Sequence, residues 1–393
     1  MEQRNGGDDA RDIGGADTEI FLDGLAWAQL ASAEKWLQQM FGPGGLLATA
    51  QTVHFTGYSL GGHIASVMTE LHPEWVSSTW VFNGSGRGAI AGGYSIRQLI
   101  DAYNRLLADP DAEVPGILNV RPTDAIGLAE YEAAKQEAAN PPTAAHSVYL
   151  SARHRWALRV IGPYADGIAT STVFSGQSID PVADAKITYV YGMATHHDDT
   201  LVSLSGVLPS HRIRVFIEDQ PLYYGPFFVP FTSETDKLSR DFMATHSITL
   251  LADSLALMRL FQTVDGQISQ EKIETIFAAA SNRVANASLD AGSATYEADS
   301  LERALDKLRW NLIPGTARDE RRDTPFDPNA AGFSNIDFRN IFHTRIDEIT
   351  RLVSATWFDD LHDPAVGDDV LDRRDRDQRS HLAENRGLRR RQG

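Results

Sequence analysis

Gly57-Tyr58-Ser59-Leu60-Gly61 sets a serine between two glycines, each two residues away. A short apolar run, Thr52-Val53-His54-Phe55-Thr56, precedes it, and a helical period from His63 to Leu71 follows. On such a junction the chain must turn sharply, and the serine hydroxyl is lifted to the end of the sheet, where it can act as a nucleophile. Side chains at Gly57 and Gly61 are expected to collide inside so tight a turn, which accounts for both glycines. The N–H of Leu60, at the start of the helix, is expected to point to where an oxyanion would form. The chemistry this serves is acyl transfer through a serine.

A serine nucleophile needs a base, and around a strand–turn–helix elbow the chain order is Ser, then acid, then His. His63 lies four residues after Ser59 on the helix itself, so it is expected to point away from the hydroxyl and to pack or cap. His211 stands before a strand, at its wrong end. His246 heads a long apolar helix, in Thr245-His246-Ser247-Ile248-Thr249-Leu250, and is the expected base. The orienting acid belongs in a loop after a late strand. Asp199 is the first choice, in Gly192-Met193-Ala194-Thr195-His196-His197-Asp198-Asp199-Thr200, with Asp198 and Asp219 as alternatives. Asp180 precedes the strand and is at the wrong end. His196-His197-Asp198-Asp199 is not read as a metal site, because adjacent histidines diverge and no third ligand stands at a closing distance. No cofactor is implied.

The elements that must position these groups follow from periodicity. Met1 to Asp17 reads as a polar, glycine-rich loop, and a single helix is expected from Ile20 to about Met40, stopped by Phe41-Gly42-Pro43-Gly44-Gly45. Strand, elbow and helix come next, then a strand from Trp75 to Phe82, which is the βαβ order of a parallel sheet with helices on its faces. Ser95 to Tyr164 is helical, broken by Pro110, Pro115, Pro122, Pro141 and Pro142, and reads as an inserted lid or cap. The stripe Ile96, Leu99, Ile100, Tyr103 and Leu107 is wide enough to pack inward or to meet a lipid surface, and a lid over the site is the favoured reading. Strands follow at Lys186–Tyr191 and Arg212–Ile217, then a helix over 241–264 and two or three helices over 268–312. The expected organisation is an α/β domain over residues 1–315, a connector over 316–358 with one amphipathic helix, and a charged Asp/Arg tail over 359–393 that cannot bury enough apolar surface to fold.

Composition narrows the partners. The 393 residues are 42% hydrophobic and carry a net charge of −17, so nucleic acid is not expected as the main partner. Mean hydropathy is −0.28, and no apolar run reaches the roughly 18 residues of a membrane span. The N-terminus has no apolar core of a signal peptide. With no cysteine there is no disulfide, thiolate zinc site or cysteine nucleophile.

Thr56-Gly57-Tyr58-Ser59-Leu60-Gly61-Gly62-His63, with Phe82-Asn83-Gly84 downstream, resembles the lipase-type α/β-hydrolases, above all the bacterial lipase domains of large secreted proteins of the RTX type. Gly24-Leu25-Ala26-Trp27-Ala28-Gln29, Phe216-Ile217-Glu218-Asp219-Gln220-Pro221, and Thr245-His246-Ser247-Ile248 with Asp253-Ser254-Leu255 extend the likeness over residues 10–313. The resemblance implies an α/β-hydrolase-like, mostly parallel sheet with a helical insertion and C-terminal helices. It also implies hydrolysis of lipid esters, with Ser59 as nucleophile and His246 as base, a transient contact with a lipid interface, and a bacterial, exported setting. A phospholipase, a short-chain esterase and a non-catalytic module of a larger exported protein are the alternatives. Relative to that family the chain looks N-terminally truncated. Only Arg4-Asn5-Gly6-Gly7 stands where the family has strands and an Arg-Gly loop bearing a second oxyanion donor, and the calcium-binding repeats of exported relatives are absent.

Overall fold

The first helix with described bounds, Asp17–Asp23 (α1), has an acidic first turn that sets Asp17 and Glu19 near its positive end. The computed structural model describes residues 15–141, 149, 151–168, 177–193, 206–216, 248–280, 300–313 and 336–353. Where one helix from Ile20 was expected there are two, because α1 stops at Gly24 (φ 83°) and α2 begins at Trp27 and runs to Phe41. The break is tertiary in origin. A Cβ at Gly24 would stand 2.4 Å from the Asp166 carbonyl oxygen, and the Gly24 carbonyl accepts the Gly88 N–H at 2.7 Å. Three backbones cross there, so the helix cannot continue.

The sheet follows the expected rhythm. β1 (Val53–Tyr58) leads into α3 (Leu60–Leu71), and β2 (Val76–Phe82) returns parallel to β1, pairing Val53↔Val76 and, after a one-residue shift, running in register from His54↔Ser78 to Tyr58↔Phe82. β3 (Ile187–Met193) lies parallel to β2, and β4 (Arg212–Phe216) is next to β3, in the order β1-β2-β3-β4. The fold class is α/β with a parallel sheet. α3 is pinned on β2 by Thr69, whose hydroxyl donates to the Ala65 carbonyl and meets Thr79 Oγ1 at 2.6 Å in the interior.

The insertion comprises α4 (Ile96–Ala108), α5 (Ala125–Ala139) and α6 (Ala152–Ile161). Each starts on a side-chain cap: a Ser95/Gln98 capping box, Asp124 on the Gly127 N–H, and Ser151 on the His154 N–H. The α4 stripe is buried through Ile96, Leu99, Ile100, Tyr103 and Leu106, with Leu106 inside and Leu107 half-buried. It shares one core with Trp27 and Leu30 of α2, Met68 and Leu71 of α3, and Trp156 of α6. The α4 face is thus packed in the core in this structure, and exposing it would uncover four or five large side chains, each worth about 1.5–3 kcal/mol of burial.

α7 (Pro181–Asp184) is a single turn before β3, capped by Asp180, whose Oδ1 accepts the Val182 N–H at 2.9 Å. The remaining helices are α8 (Ile248–Val264), α9 (Gln270–Ala280), α10 (Ser300–Leu312) and α11 (Ile336–Val353). The chain divides into two compact units. The described residues up to Val215, with Ile248, form one, and Phe216 with those from Thr249 onward form the other. The described residues of 249–313, expected inside the first domain, therefore group with α11 from the expected connector. Phe277 packs edge-on against Phe261 at 5.8 Å, and Asp253 meets His343 at 2.8 Å between α8 and α11. Among the described residues no helix is long and apolar enough to cross a membrane.

The buried stripe predicts that Leu99→Ala lowers unfolding stability by about 2–5 kcal/mol in urea titration. A loss under about 0.5 kcal/mol, the level of a surface substitution, would mean that the α4 face is not part of the core.

Candidate active site

β1 runs into α3 with one residue between them, Ser59, at φ 54° and ψ −127°. A non-glycine residue there costs on the order of 1–3 kcal/mol and persists only when its surroundings enforce it. They do so from both sides. The Ser59 N–H donates to the Phe82 carbonyl at 3.0 Å, and the Ser59 carbonyl accepts the N–H groups of Gly62 (2.9 Å) and His63 (3.2 Å).

Close approach of backbones explains the glycines, though not both as expected. A Cβ at Gly57 would lie 2.0 Å from the Gly61 carbonyl oxygen, so any side chain there is excluded. A Cβ at Gly61 would meet nothing within 4 Å. The second crossing is at Gly62, where a Cβ would stand 2.9 Å from Gly84 Cα and 2.9 Å from Val81 Cγ1. The sequence signals were the Gly61-Gly62 doublet and Gly84 after β2.

The Leu60 N–H lies in the first turn of α3, where an α-helix has no internal acceptor and the dipole favours negative charge. The Leu60 side chain packs against Ala16, Ile20 and Ala26. The backbone beside the serine is thus held by the α1–α2 junction. Arg4–Gly7, the expected place of a second donor, lies outside the described residues.

His63, expected to pack or cap, is fully buried. Its Nδ1–H donates to the Gly86 carbonyl at 2.9 Å, and its Nε2 accepts the Ala26 N–H at 3.3 Å. It is a neutral cross-brace between the α1–α2 junction and the loop after β2. That loop is also held by Arg87, whose Nε and Nη2 donate to the Glu70 carboxylate at 2.6 and 2.9 Å in the interior. His211 reaches Thr188 Oγ1 at 3.4 Å, level with Trp80 and Thr56 of the neighbouring strands and not with Ser59.

His246, Asp199, Asp198, Asp219 and the His196-His197 pair lie outside the described residues. Two flanking contacts bear on them. The Ile248 N–H, two residues on from His246, donates to the Tyr58 phenol next to Ser59, while burial pushes that phenol above its ordinary value. Asn83, buried at φ 46°, donates its N–H to the Val190 carbonyl at 2.8 Å, and its Oδ1 accepts the Gly192 N–H at 2.8 Å. It fixes the end of β3, from which the chain goes on to Asp198 and Asp199. Sequence reasoning quoted Asn83 without giving it a role, and the Asn-Gly pair after a strand was the available signal. No group of three or more His, Cys, Asp or Glu side chains is placed to hold a metal ion among the described residues.

No family model matches the chain, and no curated protein matches it. Among solved structures it is similar to a marine microorganism esterase, at 12% identity and a TM-score of 0.19, over 48% of this chain and 69% of that one.

His63 gives a pH signature. Burial, opposed by the Gly86 carbonyl, lowers its pKa from 6.5 to about 4. The unfolded chain therefore binds this proton first as pH falls, so stability declines from about pH 6.5 and levels off below about pH 4, a loss of about 3 kcal/mol. Unfolding free energies from urea titration of wild type and His63→Gln should diverge by about this amount across that window. Parallel pH profiles would show that His63 is not held neutral.

Proposed function

We propose that this chain is a serine hydrolase of carboxylic esters, acting on lipid esters. Ser59 is the nucleophile, His246 the base, Asp199 the acid that orients it, and the Leu60 N–H the oxyanion donor. The observation that carries the reading is Ser59 itself. It is a non-glycine residue in a strained conformation at a strand-to-helix junction, with a helix N-terminus as its next peptide. Such strain clusters where function requires a fixed geometry. The hydrogen bond from Ile248 to Tyr58 supports the assignment of His246, because it ties the chain beside that histidine to the chain beside the serine. The Asn83 contact to Gly192 supports an acid in the stretch after β3.

In this mechanism His246 takes the Ser59 hydroxyl proton as Oγ attacks the ester carbonyl. The Leu60 N–H stabilises the oxyanion, and the tetrahedral intermediate collapses as His246 returns the proton to the departing alcohol. Water, activated by the same imidazole, then releases the acid and restores the serine. Asp199 holds the imidazole tautomer and stabilises the imidazolium.

Ser59→Ala should lower turnover of a p-nitrophenyl ester by at least about 10⁴-fold with an unchanged circular dichroism spectrum. Activity within about threefold of wild type, under ~1 kcal/mol of barrier, would remove Ser59 from the role. Asp199→Asn should cost about 10⁴-fold in kcat; the same loss in Asp198→Asn or Asp219→Asn instead would move the acid.

A further inference from the structure

A second polar constellation lies in the core, and the mechanism above does not use it. Glu19 on α1 is 4% exposed. One oxygen, Oε2, accepts the Ala28 N–H at 3.3 Å, in the first turn of α2, a helix whose N-cap residue Ala26 offers no side-chain cap. The other, Oε1, stands 2.8 Å from Nε2 of His154 on α6, also buried. Nδ1 of His154 lies 2.7 Å from the hydroxyl of Tyr103 on α4, which is fully buried.

Carboxylate, imidazole and phenol thus form a chain through three helices. An apolar trio of the same volume would pack as well without the desolvation cost. What the polar trio adds is direction, since the Ala28–Glu19 and Tyr103–His154 hydrogen bonds each fix one group at one angle and the carboxylate closes on the imidazole at 2.8 Å. The direction leads toward the elbow. Ile20, next to Glu19, packs with Ala16 and Ala26 against Leu60. The Ala26 N–H is held by His63 and the Ala28 N–H by Glu19, so the start of α2 is gripped on both sides of Trp27.

We propose that Glu19, braced by His154 and Tyr103 of the inserted helices, is a positioning residue that sets the Leu60 amide for oxyanion binding. The insertion then acts on the site from behind, by holding the α1–α2 junction against Leu60. This role rests on the reading of Ser59 as nucleophile.

The test uses the full chain as wild type, Glu19→Ala, Glu19→Gln and Tyr103→Phe. Three quantities are read: the rate of Ser59 phosphonylation by a fluorophosphonate, kcat and KM for p-nitrophenyl butyrate, and amide hydrogen exchange over residues 24–28 and 59–63. Glu19→Ala should slow phosphonylation and kcat by about 10–100-fold, the scale of a misplacement near 1 Å, with KM within about twofold and faster exchange in both segments. Glu19→Gln should recover to within about threefold. Its amide oxygen can still accept the Ala28 N–H, and its N–H₂ can face Nε2 of His154 as a donor. Tyr103→Phe, which removes a single hydroxyl, should slow kcat about three- to tenfold. It carries the test if Glu19→Ala does not fold. Phosphonylation at the wild-type rate in folded Glu19→Ala, or in Tyr103→Phe where the alanine variant does not fold, overturns the positioning role alone, as does a glutamine variant no better than alanine. A wild-type chain that is not labelled at Ser59 overturns the reading of the serine and the positioning role with it.

Discussion

The contact on which the rest of the fold's first unit depends is the crossing of α3 over the ends of β1 and β2. Gly57 passes so near the Gly61 carbonyl, and Gly62 so near Gly84, that no Cβ fits at the tightest points. That approach leaves a single residue to turn the chain from strand to helix, and so forces Ser59 to φ 54°. The strain is sustained by sheet and helix together, because the Ser59 N–H continues the β1–β2 ladder to Phe82 while its carbonyl starts α3. Relaxing Ser59 would require breaking bonds to both elements. A cooperative parallel sheet therefore becomes the support of one half-buried serine.

Around this junction the interior carries an unusual density of polar braces. His63 ties residue 26 to residue 86, Arg87 ties the loop after β2 to Glu70 of α3, and Glu19 ties α1 to the insertion. Further along α3, His72 meets Glu34 of α2 at 2.6 Å and stacks on Trp75 at 3.7 Å. Each buried group costs desolvation and returns it only in one geometry. Braces of this kind fix loops at defined distances where apolar packing alone tolerates sliding. The first three meet at two backbone segments, residues 24–28 and 84–88.

Much of this was legible in the sequence because it is local. Alternating apolar residues at Val53 and Phe55, the helical period to Leu71 and the stop at His72-Pro73 specify β1, α3 and their boundary without reference to anything distant. The unread parts are tertiary. Gly24 breaks a helical pattern only because Asp166 and Gly88 cross it, and residues 64 to 142 positions away leave no mark on local periodicity. The stripe of α4 could be read as apolar, but which elements bury it depended on α2, α3 and α6 meeting it. Gly61 and Gly62 are indistinguishable by motif, and their different surroundings emerge only with Gly84 in place. Glu19 reads as a helix-dipole acid, and its burial against His154 pairs residues 135 apart.

The central claim is that Ser59 takes up an acyl group during turnover. Mixing the chain with p-nitrophenyl acetate, quenching in acid within the first turnovers and mapping the digest by mass spectrometry tests it directly. The account predicts one acetyl group on the peptide that contains Ser59, on the serine itself. Continued release of p-nitrophenol with that peptide unmodified, or with the acetyl group on another residue, would contradict it.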